Sequence, residues 1–307
     1  MNPAFLIKRL LGMIPLLLAV SLGAFLLIRL APGGPFESER SASSLKAREA
    51  IRARYHLDEP AARQYYRFLK NLVHGDLGPS LKYRHHTVND ILVQALPVSM
   101  VLGGAAFVVS LGIGIPLGLA GAFWKHKLAG SFADLLALLS ISIPALLLGP
   151  FLILVFAIQL GWFPVGLFES PWHGVLPVLT LGIYFAGRVS RLMREGALGV
   201  LGADFVLAAK ARGVGTVRLL CRHILPIAIT PVLSYAGPLL ADLLTGSFVV
   251  ENVFQIPGIG IFMVNSSLNR DYTMVIGLVL VYATLLLLLN LVVDLLYAVL
   301  DPRIRHA

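Results

Sequence analysis

Residues 91–124 read ILVQALPVSMVLGGAAFVVSLGIGIPLGLAGAFW, a stretch without a charged side chain between Asp90 and Lys125. An α-helix rises 1.5 Å per residue, so about 20 apolar residues cross the roughly 30 Å of hydrocarbon in a bilayer. This stretch is therefore long enough to span a membrane. Comparable stretches occupy residues 10–28, 135–168, 170–187, 226–250 and 272–293. The only charged residue within them is Asp242, in the stretch 226–250. The sequence predicts an all-α polytopic membrane protein with six transmembrane helices.

The composition agrees with a membrane protein. Of 307 residues, 57% are hydrophobic and 13% are charged, whereas soluble domains carry roughly 25% charged residues. This excludes disordered, collagen-like and most soluble globular proteins. A single cysteine, Cys221, excludes a disulfide framework and any cysteine-rich metal centre.

The short loops predict the orientation of the spans, because Lys and Arg concentrate on the cytoplasmic side. When both termini and the loops between spans two and three and between spans four and five share one side, the opposite short loops carry only Arg270. The cytoplasmic side then holds Lys8, Arg9, Lys125, Lys127, Arg188, Arg191, Arg194, Lys210, Arg212, Arg218, Arg222, Arg303 and Arg305. Both termini are therefore predicted to be cytoplasmic, and the net charge of +9 needs no nucleic-acid partner. The first span is longer than the apolar part of a signal peptide and is expected to be retained.

The predicted organisation has four parts. Residues 1–31 form the cytoplasmic N-terminus and the first span, and residues 32–95 an extracytoplasmic loop domain. Residues 96–299 form a core with spans two to six and a cytoplasmic loop at about 193–225, followed by a tail at 300–307. In the loop domain we expect helices at 45–56 and from Pro60 to near Gly75. Its Tyr65, Tyr66 and Phe68 either contact a docking partner or pack on the loop or at the membrane interface.

The loop between spans four and five contains a predicted short helix. Asp204 is a candidate N-cap and Gly213 a candidate C-terminal stop. Phe205, Ala208, Ala209 and Arg212 then follow at helical spacing. Two of these side chains, Ala208 and Ala209, are small. Small side chains allow another protein to approach the backbone closely. The alternative is a basic loop that only fixes the topology.

The same loop resembles the signature of bacterial ABC importer permeases. The resemblance lies in Ala208-Ala209, then Gly213, then Leu225-Pro226. Leu207 replaces the usual glutamate of that signature and His223 the usual isoleucine. Other segments narrow the resemblance to the peptide branch: RLAPGGPFESER at 29–40, GDLGPSLK at 75–82, GSFVVENVFQIPGIG at 246–260, NRDY at 269–272 and DPRIR at 301–305. Across essentially the whole chain, the sequence is similar to the first permease subunit of oligopeptide importers.

This resemblance implies the type I ABC importer permease fold in a bacterial inner membrane. It implies a second homologous permease subunit, two cytoplasmic ATPase subunits, an extracytoplasmic peptide-binding protein and a peptide substrate. The helix from Asp204 to Gly213 would be the coupling helix that docks into an ATPase. Dipeptide, glutathione, nickel and microcin importers share the scaffold, so these substrates remain alternatives.

The sequence contains none of the common catalytic signatures. It lacks a phosphate-binding Gly-x4-Gly-Lys-Ser/Thr loop, a His-Glu-x-x-His helix and a Gly-x-Ser-x-Gly elbow. We therefore predict no catalytic residue, metal ligand or cofactor, and the rival classes, a channel or an intramembrane enzyme, find little support. Charged residues within spans are functional candidates by default. The candidates for the pathway or its gate are Asp242, Glu251, Pro257 and Gly258.

Overall fold

The computed structural model describes residues 3–30, 58–83 and 85–300. The α-helices along this part of the chain are α1 (Pro3–Leu30), α2 (Ala61–Val73), α3 (Val88–Phe123), α4 (Leu128–Ser142), α5 (Ala145–Leu152), α6 (Val175–Leu201), α7 (Asp204–Ala211), α8 (Thr216–Leu219), α9 (Leu225–Ala228), α10 (Thr230–Val253), α11 (Ile259–Asn269) and α12 (Tyr272–Leu300). The predicted all-α class is confirmed. The predicted loop helix at 45–56 and the tail at 301–307 lie outside the described residues.

Within the described residues, five stretches are long and apolar enough to cross a membrane: Arg9–Leu30, Val88–Phe123, Pro171–Leu201, Thr230–Val253 and Tyr272–Val292. A sixth consists of two helical stretches, Leu128–Ser142 and Ala145–Gln159, which are bent by 104°. Counting this bent pair as one span gives the six predicted spans.

The third span differs from the uninterrupted stretch that the sequence predicted at 135–168. Pro144 explains the break, because proline pushes the preceding residue away from helical geometry. Ile143 is accordingly extended, with φ −90° and ψ 115°. The span therefore turns sharply at Ile143 and continues through α5 into a wider π-helical stretch, Ile153–Gln159.

Two further boundaries differ from the prediction. The fourth span, expected at 170–187, continues as α6 to Leu201, so Arg188 lies within a helix rather than in a loop. The fifth was expected from Pro226, but Pro226 lies in the short helix α9, and the long helix α10 begins at Thr230.

The chain divides into two compact units. The first contains the described residues up to Val98 together with Gly258–Leu288. Its core combines Phe25 of α1 with residues of α3, α11 and α12, including Val88, Ile91, Ile259 and Met274. Helix α2 begins after Pro60, as predicted. The Tyr65 hydroxyl lies 2.9 Å from the Ser21 Oγ atom, and the Tyr65 ring lies 5.2 Å from that of Phe25, so this tyrosine packs on α1.

The second unit comprises Ser99–Pro257 and the described residues from Leu289 onward. Helix α6 lies at its centre, with buried residues distributed along its length. Glycines allow α3 to approach α6 closely: a Cβ atom at Gly118 would lie 2.4 Å from the Ser190 carbonyl oxygen. Such small-residue contacts are typical of helix packing in membranes, where close van der Waals contact drives association.

Candidate functional site

The predicted coupling segment is helical but begins differently from the prediction. Its helix, α7, spans Asp204–Ala211, and the N-cap is Ala203 rather than Asp204. Asp204 is the first helical residue and makes no capping hydrogen bond. Its carboxylate nevertheless lies where negative charge is favourable, near the positive end of the helix dipole.

The two faces of α7 have different surroundings. Val206 and Ala209 have no exposed surface, because the chain's own residues cover them. Phe205, Ala208 and Arg212 lie on the exposed side, and Phe205 is 42% exposed. Within this chain, the face available to a partner therefore includes these three residues and the exposed Leu207, and Ala209 anchors the helix from within.

Gly213 ends α7 in a left-handed conformation with φ +76°. The Gly213 amide donates to the Lys210 carbonyl at 2.9 Å, and the Val214 amide donates to the Ala209 carbonyl at 3.2 Å. These two bonds form a Schellman motif, which satisfies the last carbonyl groups of the helix. Glycine is suited to this position because it adopts positive φ without a steric penalty.

Asp242 lies near the middle of the span Thr230–Val253 and faces an arginine of α6. The Arg188 Nη1 atom lies 3.6 Å from Asp242 Oδ2 and donates a 2.9 Å hydrogen bond to the Tyr235 hydroxyl. That hydroxyl donates in turn to Asp242 Oδ2 at 3.4 Å. The side chains of Arg188 and Asp242 are 51% and 47% exposed. We call Arg188, Tyr235 and Asp242 the polar triad.

Glu251 has a different environment from Asp242. It is fully buried near the C-terminal end of α10. Its Oε1 atom accepts hydrogen bonds from Ser99 and Ser247, each 2.7 Å long. Burying a carboxylate is costly unless it is hydrogen-bonded. In this conformation Glu251 ties α3 to α10 and has no surface to present to a pathway.

Pro257 and Gly258 lie in the turn that follows α10. The Ile256 amide donates to the Glu251 carbonyl at 2.8 Å, and Gln255 has φ +52°. Gln255 is thus the left-handed residue of this turn, while Gly258 is extended and precedes α11. Helix α11 has only 11 residues, about half the length needed to span a bilayer.

A buried carboxylate that sequence reasoning missed joins two of the quoted segments. Asp271 has no exposed surface. Its Oδ2 atom accepts hydrogen bonds from the Ser80 hydroxyl, from the Leu81 amide at 3.0 Å and from the Lys82 amide at 3.1 Å. Its Oδ1 atom accepts from the Met274 amide at 3.1 Å and so caps α12. The segments at 75–82 and 269–272 therefore meet at one carboxylate.

Tyr83 packs beside this junction. Its ring lies 5.4 Å from that of Phe262. Burial raises the pKa of the Tyr83 phenol, and the negative charge of Asp271 raises it further, although a hydrogen bond with Asn265 acts in the opposite direction. The phenol therefore stays neutral near physiological pH. Over the described ranges of the chain, no cluster of three His, Cys, Asp or Glu residues could hold a metal ion.

Comparison with known proteins assigns these helices to a family. Residues 114–306 match the family described as binding-protein-dependent transport system inner membrane component, and residues 3–103 match the N-terminal family of the same transport systems. The chain is 40% identical to the oligopeptide transport system permease protein OppB of Haemophilus influenzae, over 98% of this chain and 99% of that protein. It is 38% identical to OppB of Escherichia coli K12, with the same coverage, and 38% identical to the dipeptide permease protein DppB of Bacillus subtilis, over 98% and 97%.

A solved structure shares the fold. The inward-facing structure of the MetNI methionine ABC transporter superposes with a TM-score of 0.59 at 17% identity, covering 69% of this chain and 96% of that one. At this identity the likeness shows the fold alone, which is the type I ABC importer permease fold expected from the sequence. The resemblance to the peptide branch of ABC importer permeases is confirmed by the OppB proteins, which match over 98% of the chain. The chain belongs to the family of binding-protein-dependent transport system inner membrane components, and it is a multi-pass transport permease subunit.

Proposed function

We propose that this chain forms half of the translocation pathway of an ATP-driven importer for oligopeptides. The observation that carries this proposal is the near-complete match, over 98% of the chain, to permeases named for oligopeptide transport. Relatives named for dipeptide and glutathione transport match at 38% and 36% identity over the same share of the chain. Dipeptides, glutathione, microcin-like peptides and nickel are therefore the alternative substrates that an experiment must separate.

The proposed partners are a second homologous permease subunit, two cytoplasmic ATPases and an extracytoplasmic peptide-binding protein. Both termini and the loop that carries α7 would face the cytoplasm. The basic loop residues support this orientation, because Lys and Arg are enriched in cytoplasmic loops. Helix α7 would dock into an ATPase through Phe205, Ala208 and Arg212, which its exposed face presents. Asp204 would lie at the edge of this contact, and Gly213 would hold the end of the helix in place.

The substrate is tested with the assembled complex in liposomes. We reconstitute the two permease subunits together with the ATPases and the peptide-binding protein. ATP-dependent uptake is then measured for a labelled pentapeptide, a dipeptide, glutathione and Ni²⁺. The proposal expects uptake of the pentapeptide to exceed that of the other substrates. Preferential uptake of the dipeptide, glutathione or nickel would refute oligopeptide import while leaving the family membership intact.

The coupling contact is tested by adding bulk to the exposed face of α7. Ala208→Trp is expected to weaken co-purification of the ATPases or to separate ATP hydrolysis from uptake, because overpacking an interface costs about 1–3 kcal/mol. Val217→Trp is the matched control, since Val217 is 74% exposed in the neighbouring helix α8. Normal assembly and transport in Ala208→Trp would show that α7 is not the coupling helix.

A further inference from the structure

The polar triad lies where charged side chains are costly. Asp242 is near the middle of one candidate span, and Arg188 lies within another, Pro171–Leu201. Charged residues within spans almost always face a bundle interior or a water-filled cavity, because lipid cannot solvate them. About half of each side chain is nevertheless open on the surface of this chain. The open side of the triad must therefore face water or another protein in the assembled importer.

The polar character of this region continues along α6. Tyr184, Arg188, Arg191 and Glu195 are spaced by four, three and four residues, which places them on one side of the helix. The three charged members are all exposed. A stripe of this kind is unsuited to lipid and suited to a hydrated passage. The triad therefore lies on a polar strip rather than as an isolated pair.

The distances within the triad show which contact is the stronger one. Arg188 makes its short hydrogen bond, 2.9 Å, with the Tyr235 hydroxyl. The distances from Arg188 and Tyr235 to Asp242 Oδ2 are longer, 3.6 and 3.4 Å. Tyr235 therefore holds Arg188 beside Asp242. The Asp242 side chain is 47% exposed, so an approaching cation can reach it.

We propose that Asp242 binds the α-ammonium group of the peptide during its passage, with Arg188 as the positive group that it displaces. The inference deepens the proposed function and rests on it. Every peptide with a free N-terminus carries this group, so the site would recognise peptides without reading their side chains. The neighbouring guanidinium keeps binding weak, as a pathway requires, because a site that binds too tightly slows release.

The first test compares one pentapeptide in two forms, with a free and with an acetylated N-terminus, in the reconstituted importer. Asp242→Asn is expected to raise KM for the free peptide by roughly tenfold or more, the scale of one charge-assisted hydrogen bond. It should change KM for the acetylated peptide less than about twofold. Arg188→Gln is expected to lower both KM and kcat for the free peptide, because the ammonium then no longer competes with the guanidinium for the carboxylate and is held longer.

The matched control is Asp134→Asn. Asp134 is a 40% exposed carboxylate in the same unit and pairs with Arg194 at 2.9 Å, so its loss should affect both peptide forms equally. Equal losses for the two forms in Asp242→Asn, or no loss for either, would overturn the proposal. If the wild-type importer takes up neither form of the peptide, the proposed function itself is refuted.

A second measurement does not depend on transport of the acetylated peptide. Pro238 is exposed and lies one helical turn before Asp242. In a Cys221→Ser background, the alkylation rate of Pro238→Cys in the assembled importer is measured with each peptide form. The free peptide is expected to slow alkylation several-fold, and Asp242→Asn is expected to abolish this protection. Protection that is equal for both forms, or that persists in Asp242→Asn, would show that the ammonium is not bound here.

Discussion

Replacing Asp271 tests how the first unit is held together. Its Oδ2 atom accepts three hydrogen bonds from Ser80, Leu81 and Lys82, and its Oδ1 atom caps α12 through Met274. In Asp271→Asn, one oxygen becomes an NH₂ donor that cannot accept. If this group faces Met274, the cap is lost at about 1 kcal/mol. The remaining three bonds lose their charge assistance, at roughly 1 kcal/mol each.

The expected loss in free energy of unfolding is therefore about 3–4 kcal/mol. It is measured by detergent-titrated unfolding of the purified chain in mixed micelles. Asp76→Asn is the control, because the exposed Asp76 accepts the Gly78 amide at 2.8 Å and no other hydrogen bond from the residues the structure describes, so it should lose about 1 kcal/mol or less. A loss for Asp271→Asn no larger than that of the control would refute the view that this carboxylate joins the two segments.

Two glycine comparisons extend this reasoning. Gly114→Ala should be less stable than Gly112→Ala by about 1–3 kcal/mol in the same unfolding assay. The reason is that a Cβ atom at Gly114 would lie 2.6 Å from Val189 Cβ, whereas one at Gly112 meets nothing within 4 Å. Equal stabilities of the two variants would contradict the close α3–α6 packing. Gly213→Ala should cost about 1 kcal/mol more than Gly215→Ala, since Gly213 has φ +76° and Gly215 has φ −61°. Limited proteolysis of the loop measures this second difference, and equal cleavage rates would contradict the Schellman end of α7.

The spans were predictable because the length and polarity of a stretch are local properties of the sequence. The residue that breaks a span is also a local feature of the sequence, but it hardly lowers the mean hydropathy of the stretch. Pro144 lies inside an uninterrupted apolar run, and the 104° bend follows from its effect on Ile143. Proline alone does not identify such a bend either, since Pro150 and Pro238 lie inside continuous helices.

The site residues were harder to predict because their partners are distant in sequence. Asp271 bonds to residues about 190 positions earlier, and no pattern within either segment indicates the other. The Arg188–Tyr235 hydrogen bond likewise joins two helices that are separated by the whole α7 loop. The sequence indicated Asp242 as a candidate because a charged side chain within a span is costly to desolvate. It did not indicate that Arg188 is the residue that faces it.

Helix α7 shows why a small-residue face alone does not identify a docking surface. Ala208 and Ala209 are equally small and adjacent, yet one is exposed and the other is buried by the chain itself. Under the proposed function, a coupling helix needs both properties, since its outer face must meet the ATPase and its inner face must pass the movement to the spans. Val206 and Ala209 provide the inner attachment, and the Lys210 ammonium lies 5.9 Å from the ring of Phe123 at the end of α3. Bulk at Ala208 should therefore act on association with the ATPase, whereas bulk at Ala209 should loosen α7 from its own spans and leave the docking face intact.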